Sequence, residues 1–161
     1  MDLDEKMRQC KQILKDLQYP DSLIDDKASF LFLALTDQKI ETDWRESQIT
    51  QSKSVNDLFN YIEMVYKIDY HHMKENLKKV KLYPLLDFGI AKNIVFEIEP
   101  LVERPMFLQL RVEAFDVVKQ FGTNGHSTYL KVFLENQPVL MKEFKDTLEK
   151  YLQMKKDGII N

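Results

Sequence analysis

Apolar side chains recur every three or four residues in the first part of the chain, which is the spacing of a buried helix face. The first run of such positions is Met7, Cys10, Ile13, Leu14 and Leu17. It predicts a helix that ends before Tyr19-Pro20, because the residue before a proline is pushed out of the α region. A second helix is predicted over residues 28–37, with capping side chains between Ser22 and Asp26. Its Phe-Leu-Phe-Leu run is apolar on nearly every side, so this helix is expected at the centre of the core.

A polar stretch, residues 38–53, follows these helices and contains the only tryptophan of the chain. Connections of this length are uncommon unless they are functional or held down by an anchor. Trp44 is predicted to be that anchor, since a buried indole removes a large apolar surface from water. Ser54 then suits the N-cap of a third helix over residues 55–67, whose apolar side chains again repeat at helical spacing.

Residues 70–89 predict a fourth helix, which is lysine-rich and ends at a glycine. The side chains that would share its buried stripe are Met73, Leu77, Val80 and Leu85. The side chains that would project away from the core are Lys74, Lys78, Lys79 and Lys81. Only a short break at Ile68-Asp69 separates this helix from the third one. Two helices so close together, the second of them basic, are typical of a helix-turn-helix.

Beyond Gly89 the chain changes to β-branched and aromatic residues. Residues 94–98 predict a strand, and residues 107–112 predict its returning partner in a hairpin. Further helices are expected at residues 113–121, 127–136 and 138–155. Pro138 is predicted to begin the last of them, because proline suits the first turn of a helix.

These elements together predict a mainly α fold: a winged helix-turn-helix core with a small β-hairpin and additional N- and C-terminal helices. The order helix, helix, hairpin is that of a winged helix. One domain is expected over residues 1–161, with the winged helix-turn-helix at about 54–112 and flanking helices at 4–36 and 113–155.

Composition supports a helical domain and limits its partners. The chain has 161 residues, 44% of them hydrophobic, with 4 Gly and 5 Pro. So few turn-forming residues favour helices over a many-stranded sandwich. The net charge of −3 argues against a protein that coats nucleic acid over its whole surface. Residues 67–92 nevertheless contain six lysines and only three acidic residues, so a local cationic patch is expected there.

The single cysteine, Cys10, allows neither an intrachain disulfide nor a cysteine-based zinc site. The charged N-terminal stretch has no apolar core of signal-peptide length, and no run approaches the roughly 20 apolar residues of a membrane span. The expected location is therefore the cytoplasm, with no membrane partner.

Catalytic and metal-binding patterns are weak in this sequence. His71 and His72 are adjacent, so on a helix they point about 100° apart and do not grip one metal ion together. Glu143-Phe144-Lys145 matches the carboxylate-x-lysine element of metal-dependent nucleases, but it lies in a periodic helix where that chemistry needs a strand. There is no glycine-rich phosphate loop and no recognisable nucleophile. No enzyme activity, cofactor or metal is predicted.

The lysines and histidines of residues 70–89 have two interpretations. In the first, the lysines form a solvent-exposed helix face, as most runs of charged residues do, and the histidines only cap and flank the helix. Alternatively, the lysines contact the phosphates of duplex DNA, and a histidine contacts a phosphate or a base edge. Spacing alone does not decide between them.

Several short stretches are similar to one protein family. The segment LFLALTDQKIETDW, residues 31–44, has the family's apolar run, polar link and tryptophan. Lys74-Glu75 falls where the family has Arg-Glu, and Lys78-Lys79 falls where it has paired basic residues. The stretches at residues 86–90, Arg104-Pro105 and 121–123 also match. Over roughly residues 28–145 the chain thus resembles the N-terminal helix-turn-helix domain of BsuBI/PstI-type type II restriction endonucleases.

This resemblance implies duplex-DNA binding in a restriction-modification or phage-defence setting. In the family a nuclease domain follows this region, and the chain stops where that domain would begin, so no cleavage activity is implied. The expected DNA-binding residues are His71, His72, Lys74, Lys78, Lys79, Lys81 and Arg104. Arg104 would lie in the wing, and the lysines would lie on phosphates. A homodimer, or a nuclease or methyltransferase partner, is also expected.

Two alternatives to DNA binding stay open from the sequence. The first is a protein-interaction subunit or adaptor that uses the winged-helix scaffold without contacting DNA, which the net acidity supports. The second is a regulator that senses a small ligand between the first and last helices.

Overall fold

The fold described here is that of a computed structural model, which describes residues 1–48, 51–94 and 106–159. Two capped helices begin the chain: α1, Leu3–Asp16, and α2, Asp26–Leu35. The N-cap of α1 is Asp2, and that of α2 is Asp25, which accepts a hydrogen bond from the Ala28 amide at 2.9 Å. Eight consecutive residues of α2, from position 28 to 35, are buried, so the prediction of a central core helix is confirmed.

The connection after α2 is held against α1 by Trp44, whose side chain is buried. The indole Nε1 donates to Gln9 Oε1 at 2.8 Å. The Lys6 Nζ lies 4.1 Å from the centre of the indole ring, in a cation–π contact. The predicted anchor is confirmed, and a short 3₁₀ turn, Trp44–Glu46, surrounds it.

The first helix of the helix-turn-helix follows a two-residue strand, β1, Lys53–Ser54. Helix α3, Val55–Tyr61, begins at Ser54, whose hydroxyl accepts from the Asp57 amide at 3.0 Å. The Asp57 carboxylate accepts from the Ser54 amide in return, which completes a capping box. The helix continues as a π-helical turn, Ile62–Tyr66, and ends at Lys67, which has a positive φ.

The second helix is a continuous run over residues 71–87, hereafter the lysine helix. It contains, in order, a 3₁₀ turn His71–Met73, helix α4 Lys74–Leu77, a π-helical turn Lys78–Leu82 and helix α5 Tyr83–Asp87. Gly89 follows with a φ of 69°. The predicted order of two helices around a short break is confirmed.

Three short antiparallel strands form the small sheet, in the order β1-β3-β2. Strand β2, Ala91–Asn93, pairs with β3, Phe107–Leu110, and β3 also pairs with β1. The first strand was predicted at residues 94–98, but β2 lies before that range, at Ala91–Asn93. Residues 95–98 of that prediction lie outside the described residues. The returning strand at residue 107 is confirmed, although it is shorter than predicted.

The C-terminal part contains helix α6, Val112–Lys119, and one long helix, α7, His126–Lys156. The prediction of separate helices divided at Pro138 is wrong, because Pro138 lies inside α7. A proline within a helix removes one backbone hydrogen bond. The helix continues here because Phe133, Gln137 and Leu140 on its opposite side are buried against the body of the protein, while the proline is exposed to solvent.

Helix α7 contacts the protein body through a close approach at Gly89. A Cβ placed on Gly89 would lie only 2.7 Å from the Leu140 Cβ, so a glycine is needed at this crossing. The Gln137 side chain donates to the carbonyls of Leu17 and Phe88 at 3.1 and 2.9 Å. Helix α7 thus joins the end of α1 to the end of the lysine helix, and the buried residues of all these elements form one core.

None of the helices in the described ranges combines the length and the apolar composition that crossing a bilayer requires.

Candidate nucleic-acid interface

One side of the lysine helix faces solvent along its whole length. The exposed side chains of the helix up to Tyr83 are His72, Glu75, Asn76, Lys79 and Tyr83, and the exposed carboxylate of Asp87 follows one turn later. A continuous accessible strip of this kind is what a helix needs in order to enter a groove of a nucleic acid. We call the five exposed residues up to Tyr83 the outward face.

Lys74 and Lys78 lie beside the outward face and are half-exposed. The Lys74 ammonium donates to the side-chain oxygen of Asn56 at the start of α3. Across the described ranges, no carboxylate forms an ion pair with Lys78 or Lys79. Three of the four predicted lysines of this helix therefore remain accessible, as expected.

Lys81 is different, and the prediction that it projects from the core is wrong. Its side chain is buried, and its Nζ lies 2.9 Å from the Asp25 Oδ2. The same ammonium donates to the Leu23 carbonyl at 2.9 Å. The Tyr19 hydroxyl donates to the backbone carbonyl of Lys81, also at 2.9 Å. Lys81 therefore joins the lysine helix to the start of α2 and is not available to an external phosphate.

Lys81 lies four residues after the buried Leu77, so the two side chains share one face even on an α-helical wheel, and the sequence prediction overlooked this spacing. The π-helical turn Lys78–Leu82 changes other positions of the helix. Its i→i+5 hydrogen bonding places one more residue in the turn than an α-helix has, so residues after it are rotated relative to an α-helical wheel. The buried side passes from Leu77 to Lys81 and Leu82, whereas Val80, predicted in the core, is only half-buried. Leu77 and Leu85 are buried as predicted.

The two adjacent histidines point in different directions. The Nε2 of His71 lies 3.0 Å from the Glu63 Oε2, and its ring centre lies 5.9 Å from that of Phe59. The His71 amide donates to the Asp69 Oδ1 at 2.9 Å. His71 thus faces back toward α3, whereas His72 lies on the outward face. Only His72 is in position to meet a ligand together with the lysines.

Sequence reasoning missed three members of the outward face, Glu75, Asn76 and Tyr83. The signal was present, because positions 72, 76, 79 and 83 share one side of a helix. Asn76 carries both a hydrogen-bond donor and an acceptor, a combination that pairs with the N6 and N7 edge of adenine. Tyr83 is 43% exposed and carries a hydroxyl that can donate to a phosphate oxygen. Arg104, the predicted wing residue, lies outside the described residues.

The chain is similar to known proteins of one kind. The family model described as the BsuBI/PstI restriction endonuclease HTH domain matches residues 4–142. The type II restriction enzyme AplI of Arthrospira platensis is 24% identical over 144 residues, which cover 89% of this chain and 44% of AplI. The solved structure of the SdaI restriction endonuclease matches with a TM-score of 0.71 at 18% identity, over 86% of this chain and 44% of SdaI.

The match to SdaI supports the fold, a mainly helical domain with a small antiparallel sheet of the winged helix-turn-helix kind. The chain spans less than half the length of either relative, so the comparisons leave the remainder of those enzymes uncovered. The family model covers most of the chain and agrees with the resemblance seen in the sequence motifs. The chain therefore belongs to the family of BsuBI/PstI restriction endonuclease helix-turn-helix domains.

Proposed function

We propose that this domain binds duplex DNA without cleaving it, as part of a cytoplasmic restriction-modification or phage-defence system. The observation that carries the proposal is the outward face of the lysine helix with Lys74 and Lys78 beside it. This helix is the second of the helix-turn-helix, and in that motif the second helix lies in the major groove.

Size and charge fit this role. Seventeen residues make a helix of about 25 Å, longer than the roughly 12 Å width of the major groove, so its N-terminal half can meet bases while other positions meet the backbone. His72 and Asn76 lie in that half and would approach base edges. Lys74 and Lys78 are four residues apart and would contact the same phosphate backbone. Lys79 would contact a phosphate from the outward face.

Two of the other predicted residues, Lys81 and His71, are not proposed to contact DNA directly. Lys81 is excluded, because its side chain is buried and its ammonium is paired with Asp25. His71 would act only indirectly, by fixing the start of the helix. Arg104 is kept as the proposed wing contact. The net charge of −3 suits docking through one cationic face, because the rest of the surface would be repelled by DNA.

The proposal is tested by binding to random duplex DNA at two salt concentrations. Lysine–phosphate contacts release counterions, so affinity should fall steeply with salt. The double substitution Lys78→Glu and Lys79→Glu should weaken binding by at least about tenfold. The matched control is Lys131→Glu with Lys150→Glu, which makes the same charge change at exposed positions of α7.

The outcomes separate the proposal from its competitors. The control pair should change affinity much less than the helix pair. Equal losses in both double variants would show that net charge, and not the lysine helix, controls binding. Absence of binding by the unmodified protein at low salt would overturn DNA binding altogether.

A protein-interaction subunit or adaptor is the second candidate. Exposed apolar side chains on α7 favour it: Val132, Val139 and Leu152 are 46%, 57% and 51% exposed. A folded protein that binds no DNA at low salt would support this function.

Partners follow from the proposed DNA binding. One recognition helix reads only a few base pairs, so a specific site needs a homodimer or a further subunit such as a nuclease or methyltransferase. Sedimentation of the protein with and without duplex DNA tests the homodimer.

A further inference from the structure

Three side chains with metal-binding atoms meet at the turn between α3 and the lysine helix. They are Glu63 in the π-helical turn, Asp69 in the connection, and His71 at the start of the lysine helix. One ligand atom from each lies within 4.8 Å of the other two. In a tetrahedral zinc site with bonds of about 2.1 Å the donors are about 3.4 Å apart, so movements of about 1 Å would bring these groups together.

The histidine of this cluster is held in place from outside the cluster. Its ring packs against the ring of Phe59, which is fully buried. This contact orients the His71 Nε2 toward the Glu63 carboxylate, 3.0 Å away. A ligand whose orientation is fixed by packing loses little conformational freedom when it binds an ion.

The charge around the cluster also favours a cation. Two carboxylates converge here, and the ion pair that Glu63 forms within the described part of the chain is with His71. No lysine or arginine in those ranges neutralises either carboxylate by an ion pair. The side chains of His71 and Glu63 are 32% and 53% exposed, so water can reach an ion and complete its coordination.

We propose that Glu63, Asp69 and His71 bind one divalent transition-metal ion of the zinc class. An imidazole with carboxylates suits Zn²⁺ and its neighbours, whereas Mg²⁺ and Ca²⁺ prefer oxygen ligands alone. The ion takes one oxygen from each carboxylate and the Nε2 of His71, and water fills the remaining positions.

Such an ion links the end of α3 to the beginning of the lysine helix. His72, the first residue of the outward face, follows directly after a metal ligand. The ion therefore fixes the end of the helix proposed to approach base edges. Metal binding itself does not depend on DNA binding, and it is measured without DNA.

The test is calorimetric titration of the metal-free protein with Zn²⁺, supported by the visible absorption of bound Co²⁺. We expect one ion per chain. We also expect affinity to weaken by more than about tenfold in Glu63→Gln, a substitution that keeps the shape of an exposed side chain. His71→Gln should have the same effect, and its circular dichroism shows whether it still folds.

His72→Gln and His126→Gln are the matched controls, because they remove the other two histidines without touching the cluster. Both should keep the affinity of the unmodified protein. The proposal is overturned if the unmodified protein binds no Zn²⁺, or if Glu63→Gln binds it unchanged. Loss of binding in either control would also overturn it, because the ion would then lie elsewhere. Any of these results leaves the DNA-binding proposal standing.

Discussion

The ammonium of Lys81 lies 2.9 Å from the carboxylate of Asp25, which joins the lysine helix to the N-cap of α2. Asp25 also accepts from the Ala28 amide, so one carboxylate both caps a core helix and pairs with a buried cation. Asp25 is half-exposed at its side chain, whereas Lys81 is 9% exposed. The pair therefore links the two helices, and removing the Lys81 side chain would leave a cavity in the interior.

Lys81→Ala should destabilise the fold and leave the proposed DNA contacts intact. The substitution removes a buried ammonium that satisfies Asp25 and the Leu23 carbonyl. We expect the free energy of unfolding to fall by about 2 kcal/mol in urea denaturation. Lys79→Ala, its exposed neighbour, should change that free energy by less than about 0.5 kcal/mol. Equal effects of the two substitutions would contradict the burial of Lys81.

Acid should weaken the link between Asp25 and Lys81. Burial raises the pKa of Asp25, but the Ala28 amide and the Lys81 ammonium together outweigh burial and hold it below its ordinary 3.8. A carboxyl whose pKa is depressed on folding contributes stability above its unfolded pKa and loses it as the pH falls through the folded value. Below about pH 4, stability should therefore fall more steeply in the unmodified protein than in Asp25→Asn. The measurement is the free energy of unfolding of both proteins at several pH values. The same decrease in both between about pH 4 and pH 2 would contradict this prediction.

Lys6 should also make stability rise with pH, but in the alkaline range. Burial lowers the pKa of Lys6 from 10.5 to about 8. Above pH 8 the unfolded chain binds the proton that the folded protein releases, so stability should rise by about 1 kcal/mol between pH 7 and 9. Urea denaturation at pH 7, 8 and 9 measures this rise, which should be absent in Lys6→Met.

The measurement should stop near pH 9, because Cys10 then acts in the other direction. Burial raises the pKa of the Cys10 thiol from 9.0 to about 12. The folded protein keeps that proton while the unfolded chain releases it, so this group removes stability above pH 9. A rise from pH 7 to 9 that persists in Lys6→Met would show that another group is responsible.

Gly89→Ala should be among the more damaging small substitutions. The new Cβ would meet the Leu140 Cβ at 2.7 Å, and the φ of 69° is itself unfavourable for alanine. We expect a loss of about 3 kcal/mol, measured by thermal and urea unfolding. Gly122→Ala is the matched control, because Gly122 has a φ of 82° with nothing within 4 Å of its Cβ position. The control should lose only about 1 kcal/mol; equal losses would mean that the contact with α7 is unimportant.

Much of the fold could be predicted from local sequence. The apolar spacing of α1, the all-round apolar character of α2 and the Ser54 cap identified three helices and their starts. These features act within one turn or one helix, so the sequence of the segment contains them fully. The family was also identified from short motifs, which need no three-dimensional information.

The candidate interface was predicted only in part. Lys74, Lys78 and Lys79 are accessible as expected, while Lys81 is buried and Glu75, Asn76 and Tyr83 were missed. The adjacent positions of His71 and His72 indicated that they diverge. Which of them turns toward Glu63 and Phe59 depended on residues on another helix.

The sequence by itself determined where the apolar stripes lie, which residues cap the helices, and that a basic second helix follows α3. Only the tertiary structure decided that a π-helical turn buries Leu82 while Val80 stays half-buried, that Lys81 pairs with Asp25, and that α7 continues through Pro138. The physical reason is that periodicity assumes a uniform 100° step and reports one helix at a time. A π-helical turn or an internal proline costs local hydrogen bonding, and packing against the rest of the protein, at Asp25 and Gly89, compensates for that loss.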